Sequence, residues 1–335
     1  MTLPAGTGVD VTVTVIGEAI VDLIPAGPPR TFQAVPGGSP CNVAVGLARL
    51  GHHATLMARL ADTAFGRILR DHARAEGIDL HAAPRAAEQS TLAVVWMDAS
   101  ARASYDFYLE GTADWQWTAE ETGRAPEGTA VLHFGSIASW TPPGDARILE
   151  LAARLRERGD VLITYDPNVR PGLLPDRHHG RRVVERAITL AHLAKASTDD
   201  VEWLYPGQTP DQVARHWLRL GASTVVITSS ADGAEAFTAQ GWSVRRPALD
   251  VAVLDTVGAG DSFMAGLIGS LIARRQHSPA DLARCAADQL GGALDDAILV
   301  ASINCERRGN DPPTAADVAA ARDRLRPVVG YGRAE

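Results

Sequence analysis

Short apolar runs alternate with longer stretches of helical periodicity along most of the chain. The runs VTVTVIG near residue 11, AVLHFG near 130, VLITYDPN at 161, LAKAS at 193 and TVVITSS at 224 each have the length of a strand. This rhythm of strand, helix, strand predicts a mostly parallel sheet with helices on both faces. Several runs pass at once into a polar residue, as in Asp166 after VLITY and Ser229 after VVIT. In open α/β sheets ligands gather at those carboxyl ends. Two stretches break the rhythm. Residues 91–117, TLAVVWMDASARASYDFYLEGTADWQW, alternate in the manner of antiparallel strands and concentrate aromatics, and part of 18–35 does the same. Both are expected to form a small β lobe over one edge of the sheet. Residues 11–329 read as one domain, with loose tails at 1–10 and 330–335 and no internal repeat.

The most specific string is DTVGAGDSF, Asp255 to Phe263. Apolar residues at Met264, Leu267, Ile268 and Leu271 follow it at helical spacing, so a helix begins right after the glycines. Gly258, Ala259 and Gly260 at a helix start leave backbone N–H groups bare, and the helix dipole adds partial positive charge there. Such a turn can hold a phosphoryl group, with Asp261 beside it to accept a proton from an attacking hydroxyl. An isolated GxGD would be read as a cap and a tight turn. The flanking Asp255 and Thr256 make this string more specific. Other phosphate motifs fail. Lys195 is the sole lysine and no glycine precedes it, which removes a Walker A loop, and Phe263 stands where a dinucleotide fingerprint needs its last glycine. Neither HRD nor DFG occurs.

Composition narrows the partners. The 335 residues are 46% hydrophobic, enough for a large core, and 40 acidic against 32 basic residues give a net charge of -8. That balance argues against nucleic acid or anionic lipid as a partner and requires a local positive site for any anionic cosubstrate. Cys41, Cys285 and Cys305 are far apart with no CxxC pairing, which fits a reduced protein. No apolar run reaches a membrane span, and the start MTLPAGTGVD lacks a signal peptide's regions. The expected location is the cytoplasm.

DTVGAGDSF resembles the second signature of the ribokinase-like, or PfkB, family of carbohydrate kinases. GGSPCNVAVGLARLG, Gly37 to Gly51, resembles its first signature, and GEAIVDLIP, Gly17 to Pro25, is similar to the fructokinase branch. DPNVRP at 166, KASTDDVEWLYPG at 195 and CERRGNDPP at 305 follow in family order. The resemblance implies an α/β ribokinase-like fold with a β lid and an ATP-dependent sugar kinase with Asp261 as base and Gly258, Ala259 and Gly260 as anion clamp. It places Asp22, Gly38 and Asn42 on sugar hydroxyls, brings Arg170 to the active site, and lets Phe107, with Tyr105 and Tyr108, cover the sugar. On the nucleotide side it implies Lys195, Ser197, Thr228, Ser230 and Gly233. Ser197 and Asp200 stand where family members carry an Asn-x-x-Glu pattern, and Ser230 where glycine is common. Asp200 would act on Mg2+ through water, and Asp255 would hold a monovalent cation such as potassium. Fructose is the leading sugar, with 2-keto-3-deoxygluconate, ribose or a nucleoside as alternatives within the family. A non-catalytic sugar sensor is the alternative outside it. The lid implies pairing into a homodimer.

Overall fold

The computed structural model describes residues 11–28, 30–97, 103–322 and 324, so both expected tails lie outside the described residues. In chain order the strands are β1 Thr12–Ile16, β2 Ile20–Pro25, β3 Phe32–Gly37, β4 His53–Met57, β5 Leu60–Ala61, β6 Arg85–Ala86, β7 Leu92–Met97, β8 Ala103–Tyr108, β9 Thr129–Gly135, β10 Leu162–Asp166, β11 Leu193–Ser197, β12 Thr224–Thr228, β13 Ala234–Thr238 and β14 Ser243–Arg246. The helices are α1 Ser39–Arg49, α2 Ala64–Ala75, α3 Ala119–Gly123, α4 Gly144–Arg158, α5 Arg177–Ile188, α6 Thr198–Leu204, α7 Pro210–Leu220, α8 Ala259–Ala273, α9 Pro279–Ala283, α10 Ala287–Cys305 and α11 Ala315–Ala321.

The main sheet runs β14-β13-β12-β11-β10-β9-β1-β4. The five apolar runs of the sequence are its adjacent parallel strands β12, β11, β10, β9 and β1. They are mostly apolar, with Thr14, His133 and Lys195 as buried exceptions, because both of their faces are covered. Successive residues point to opposite sides. Val13, Val15, Val131, Leu162, Leu193 and Val226 join a core shared with α1, α8 and α10. Ile16, Leu132, Phe134, Ile163, Tyr165 and Ile227 join another, with Leu151, Val184 and Trp217 from α4, α5 and α7. The antiparallel strands β13 and β14 extend one edge beyond what the apolar runs reveal.

The lid is a four-stranded sheet, β3-β2-β7-β8. Its two hairpins are antiparallel, as the alternation predicts, but β2 joins β7 in parallel. The chain leaves the lid through α1 and α2 between those strands, which is the long crossover a parallel pair requires. Register brings Asp22 opposite Ala93, Ala93 opposite Phe107, and Val95 opposite Tyr105. Cross-strand partners share a face, so Asp22, Tyr105 and Phe107 look out from one side of the lid. Residues 109–117 do not continue the lid. They turn back into the main body, where Trp115 and Trp117 are buried, since burying two indoles outweighs extending an exposed strand. Among the described residues no helix is long and apolar enough to cross a membrane.

Helix α8 is buried at every residue from Asp261 to Ile272, an all-round pattern expected of a helix inside a core. It lies between α1 and α10, and small residues set the spacing. A side-chain carbon on Gly266 would stand 3.0 Å from both Ala297 Cα and Val300 Cβ. Gly266→Leu should therefore cost about 1–3 kcal/mol through overpacking. Thermal unfolding reads this as a lowered Tm, and an unchanged Tm would mean that α8 and α10 are free to part.

Candidate active site

Two helices meet with their N-termini together at the carboxyl ends of the central strands. Most of the other helices begin with a polar cap, such as Thr63, Asp176, Thr209 and Ser278. Helices α1 and α8 begin instead with Gly38 and Gly258 and have no side-chain cap. Both glycines adopt positive φ, 99° and 73°. Neither has room for a side chain: a Cβ on Gly38 would stand 2.7 Å from Glu18 O, and one on Gly258 would stand 2.0 Å from Asn310 Oδ1. The result is N–H groups at both helix starts with no side-chain cap, although Ala259 N, one of the three expected clamp amides, donates to Thr256 O.

Asp261 stands there, in the first turn of α8 and 7% exposed. Ser39 Oγ donates to its Oδ1 at 2.6 Å and Asn42 Nδ2 to its Oδ2 at 2.8 Å. Burial pushes the Asp261 carboxyl above its ordinary value, the two hydrogen bonds pull it back, Asp166 raises it and Lys195 lowers it. A buried carboxyl whose pKa is raised is the more basic for it, which suits a general base. Asn42, expected on the sugar, thus touches the candidate base as well. Ser39 was not singled out from the sequence, because its contact spans 222 positions.

Of the residues expected at the sugar, Asp22 lies with its carboxylate against Gly37. Burial pushes its pKa up to about 6, and Arg170 pulls it down. The Arg170 guanidinium also donates to Asn168 Oδ1 at 2.7 Å. Tyr105 feels Asp22 and Arg170, and its ring stacks 6.0 Å from that of Phe107. The structure therefore gathers Asp22, Arg170, Tyr105 and Phe107 beside the Gly37–Ser39 turn. Tyr108 points to the other face and is well exposed.

The nucleotide-side candidates form a row along the strand ends. Asp166 closes β10, Ser197 closes β11, and Thr228 is its cross-strand partner at the end of β12. Lys195 is buried in β11 and bonded to Asp166. Asp200 is engaged as a cap: its Oδ2 accepts from Ser197 N and Oγ, and its Oδ1 from Val169 N. Ser230, at φ 44°, and Gly233, at φ 90°, shape the turn after β12. Asp255 lies on the loop before α8, accepting from Val257 N and Gly309 N. Nearby, Asn310 Oδ1 is buried and has no partner among the described residues. Val253, Leu254 and Val257 stand exposed around it, an apolar surface that sequence reading passed over. Among the described residues no three His, Cys, Asp or Glu side chains converge as a metal cluster.

Residues 11–314 match the profile of the pfkB family carbohydrate kinases. A fructokinase of Rhizobium leguminosarum bv. trifolii is 34% identical over 258 residues, 76% of this chain and 78% of the relative. An aminoimidazole riboside kinase of Salmonella typhimurium is 33% identical over 77% of this chain and 80% of its own length. The crystal structure of a Vibrio cholerae fructokinase with fructose, ADP and calcium superposes with a TM-score of 0.81 at 26% identity, covering 93% of this chain and 98% of that one. A double mutant of that fructokinase was crystallised with fructose, ADP and potassium.

Removing either grip on Asp261 should show in its titration. The bonds from Ser39 and Asn42 hold the carboxyl down, so Ser39→Ala or Asn42→Ala should raise its pKa and move the acid limb of the kcat/KM profile to higher pH. A profile that stays in place would mean that Asp261 is not the group titrating.

Proposed function

Because the chain belongs to the PfkB family of carbohydrate kinases, we propose that it transfers the γ-phosphoryl group of ATP to the 6-hydroxyl of fructose. The observation that carries this reading is Asp261, a buried carboxylate gripped by Ser39 and Asn42 beside the uncapped start of α8. The hydroxyl gives its proton to Asp261 as the new O–P bond forms, the bond to the ADP oxygen breaks, and the amides of Gly258, Ala259 and Gly260 stabilise the transferring group. Asp22, Gly38 and Asn42 bind sugar hydroxyls, Arg170 lines the pocket, and Phe107 covers it from the lid. Lys195, Ser197, Thr228, Ser230 and Gly233 line the nucleotide side, where the exposed Val253 and Leu254 offer apolar contact to a purine.

Mg2+ keeps several waters and is bound largely through phosphates, and Asp200, whose carboxylate already accepts from Ser197 and Val169, would hold it through water. A monovalent cation fits at Asp255, since the orphaned Asn310 Oδ1 adds a second oxygen to that turn. The exposed Phe32, Trp96 and Tyr108 of the lid are the surface a second copy would cover. Sedimentation equilibrium should give a dimer, and a monomer at micromolar concentration would remove that proposal. The free cysteines support a cytoplasmic placement.

One observation favours a second reading, a riboside kinase. The stacked Tyr105 and Phe107 rings could face a flat base, and one relative of similar identity carries that name. A coupled assay of ADP release decides between them. Fructose should give a higher kcat/KM than 2-keto-3-deoxygluconate, ribose or any nucleoside, and a tenfold advantage for one of those would overturn the fructose assignment. Asp261→Asn should cut turnover by about 10²–10⁴, the range for a lost general base. Turnover within threefold of wild type would remove Asp261 from that role. The Asp22 carboxylate should also set the acid side of sugar binding. As pH falls through about 6 it takes up a proton and loses acceptor strength, so the KM for fructose should rise. A KM that is flat from pH 7.5 to 5 would remove Asp22 from the sugar.

A further inference from the structure

The lid joins the main body through four passages of chain: residues 17–19 before β2, Gly38 after β3, residues 89–91 before β7 and residues 109–114 after β8. Two carboxyls that the proposed reaction does not use sit at this joint, Glu18 and Asp114, each 1% exposed. Asp114 Oδ1 accepts from Ala19 N at 2.9 Å. The turn that carries Asp114 is fixed to the body: Ala113 N donates to Gln89 O at 2.9 Å, Arg59 Nη1 donates to Ala113 O at 2.9 Å, and Trp115 is buried. Glu18 reaches the other way. Its Oε2 accepts from Ala138 N at 3.0 Å, in the turn after β9, and its backbone oxygen lies against Gly38 at the start of α1. Before β7, the Thr91 hydroxyl pairs with that of Thr112 at 2.6 Å, and Thr91 O accepts from Val21 N at 3.1 Å. Two buried carboxyls are a costly way to fill a core, and what they supply here is hydrogen bonds from one passage of chain to the next.

We propose that Glu18 and Asp114 are positioning residues for sugar binding: they clasp the segment Gly17–Ala19 from two sides and so fix the angle at which β2 carries Asp22 to the sugar. The inference rests on the kinase reading of the site. Asp22 stands three residues beyond Ala19, so a change of direction at Ala19 passes directly to its carboxylate. Neither residue of the clasp touches the reacting atoms. Asp261 is held from α1 and α8, outside the clasp, so the clasp acts on sugar affinity before it acts on turnover.

The clasp also carries a charge that titrates near neutrality. Burial pushes Asp114 up to about 6, while Thr91 and Ala19 N–H pull it down. Burial pushes Glu18 up to about 7, the Ser136 hydroxyl and Ala138 N–H pull it down, and the Asp114 charge raises it. Cys41 of α1 feels both carboxyls, but burial pushes its thiol up to about 12 and it stays uncharged. Asp114 therefore ionises first and Glu18 second. A carboxyl raised in the clasped arrangement binds its proton more tightly there than when water reaches it. The clasp is thus favoured below about 7 and loosens as pH rises through that value, because opening lets water solvate the second charge.

The test measures kcat and the KM values for the best sugar and for ATP, from pH 6 to 9, in wild type, Asp114→Ala, Asp114→Asn and Glu18→Gln, with circular dichroism as the check on folding. Asp114→Ala removes the acceptor for Ala19 N and should raise the sugar KM about tenfold, the scale of one lost buried hydrogen bond, with kcat and the ATP KM changed less than threefold. Asp114→Asn keeps an acceptor oxygen and should recover most of the lost sugar affinity. In wild type the sugar KM should rise above pH 7, and Glu18→Gln, which keeps an acceptor for Ala138 N without the charge, should abolish that rise. If Asp114→Ala does not fold, the comparison of wild type with Glu18→Gln decides. A sugar KM within threefold of wild type in Asp114→Ala, equal losses in kcat and both KM values, or an alkaline rise that is missing in wild type or survives Glu18→Gln would overturn the inference. An active wild type with indifferent variants would sink this inference alone, whereas a wild type inactive on every sugar would sink the kinase reading with it.

Discussion

The Asp261 carboxylate, held by Ser39 and Asn42 where two helices begin, is the constraint from which the rest of the molecule is arranged. A buried carboxyl is expensive unless hydrogen bonds and positive ends of dipoles surround it. The chain meets that cost by bringing the N-termini of α1 and α8 together. The helices can lie so close only because small residues line their contact, Gly46 against Ala265 on one side of α8 and Gly266 against Ala297 on the other. Once α8 is enclosed on all sides, its first turn cannot drift, and the bare amides beside Asp261 are fixed before any ligand arrives. That is preorganisation of the kind that makes electrostatic stabilisation effective.

A second consequence concerns the lid. The Asp22 carboxylate rests against Gly37, one residue before the Gly38 cap of α1. The strand that carries Asp22, proposed to meet the sugar, and the helix that grips Asp261, the proposed base, therefore lie close together in the chain. Under that proposal sugar recognition and base placement are coupled through the tight backbone from Gly37 to Ser39.

Much of this was legible in the residues, and the divide is physical. The five central strands could be read because burial on both faces makes them mostly apolar. The α8 turn could be read because glycines followed by helical periodicity leave a local mark. The parallel join of β2 to β7 could not, since it depends on how far the chain travels through α1 and α2 between them. The contacts of Ser39 and Asp166 were hidden for the same reason: each is made to a partner distant in sequence, Asp261 for one and Lys195 for the other. At Asp200 a local signal was present and read differently. Ser197 and Asp200 form a capping box, and the carboxylate also accepts from Val169 N, so it ties the loop after β10 to the start of α6. At the turn after β12, Ser230 takes the positive φ that a glycine would adopt without strain.

The most direct measurement is a crystal structure with ADP, fructose and aluminium fluoride, a mimic of the phosphoryl group in flight. The fluoride complex should sit on the amides of Gly258 to Gly260, with the sugar's 6-hydroxyl oxygen within hydrogen-bond distance of Asp261 and in line with the ADP oxygen. Fluoride bound away from that turn, or a sugar whose 6-hydroxyl faces away from Asp261, would contradict the central claim that the meeting of α1 and α8 is the place of phosphoryl transfer.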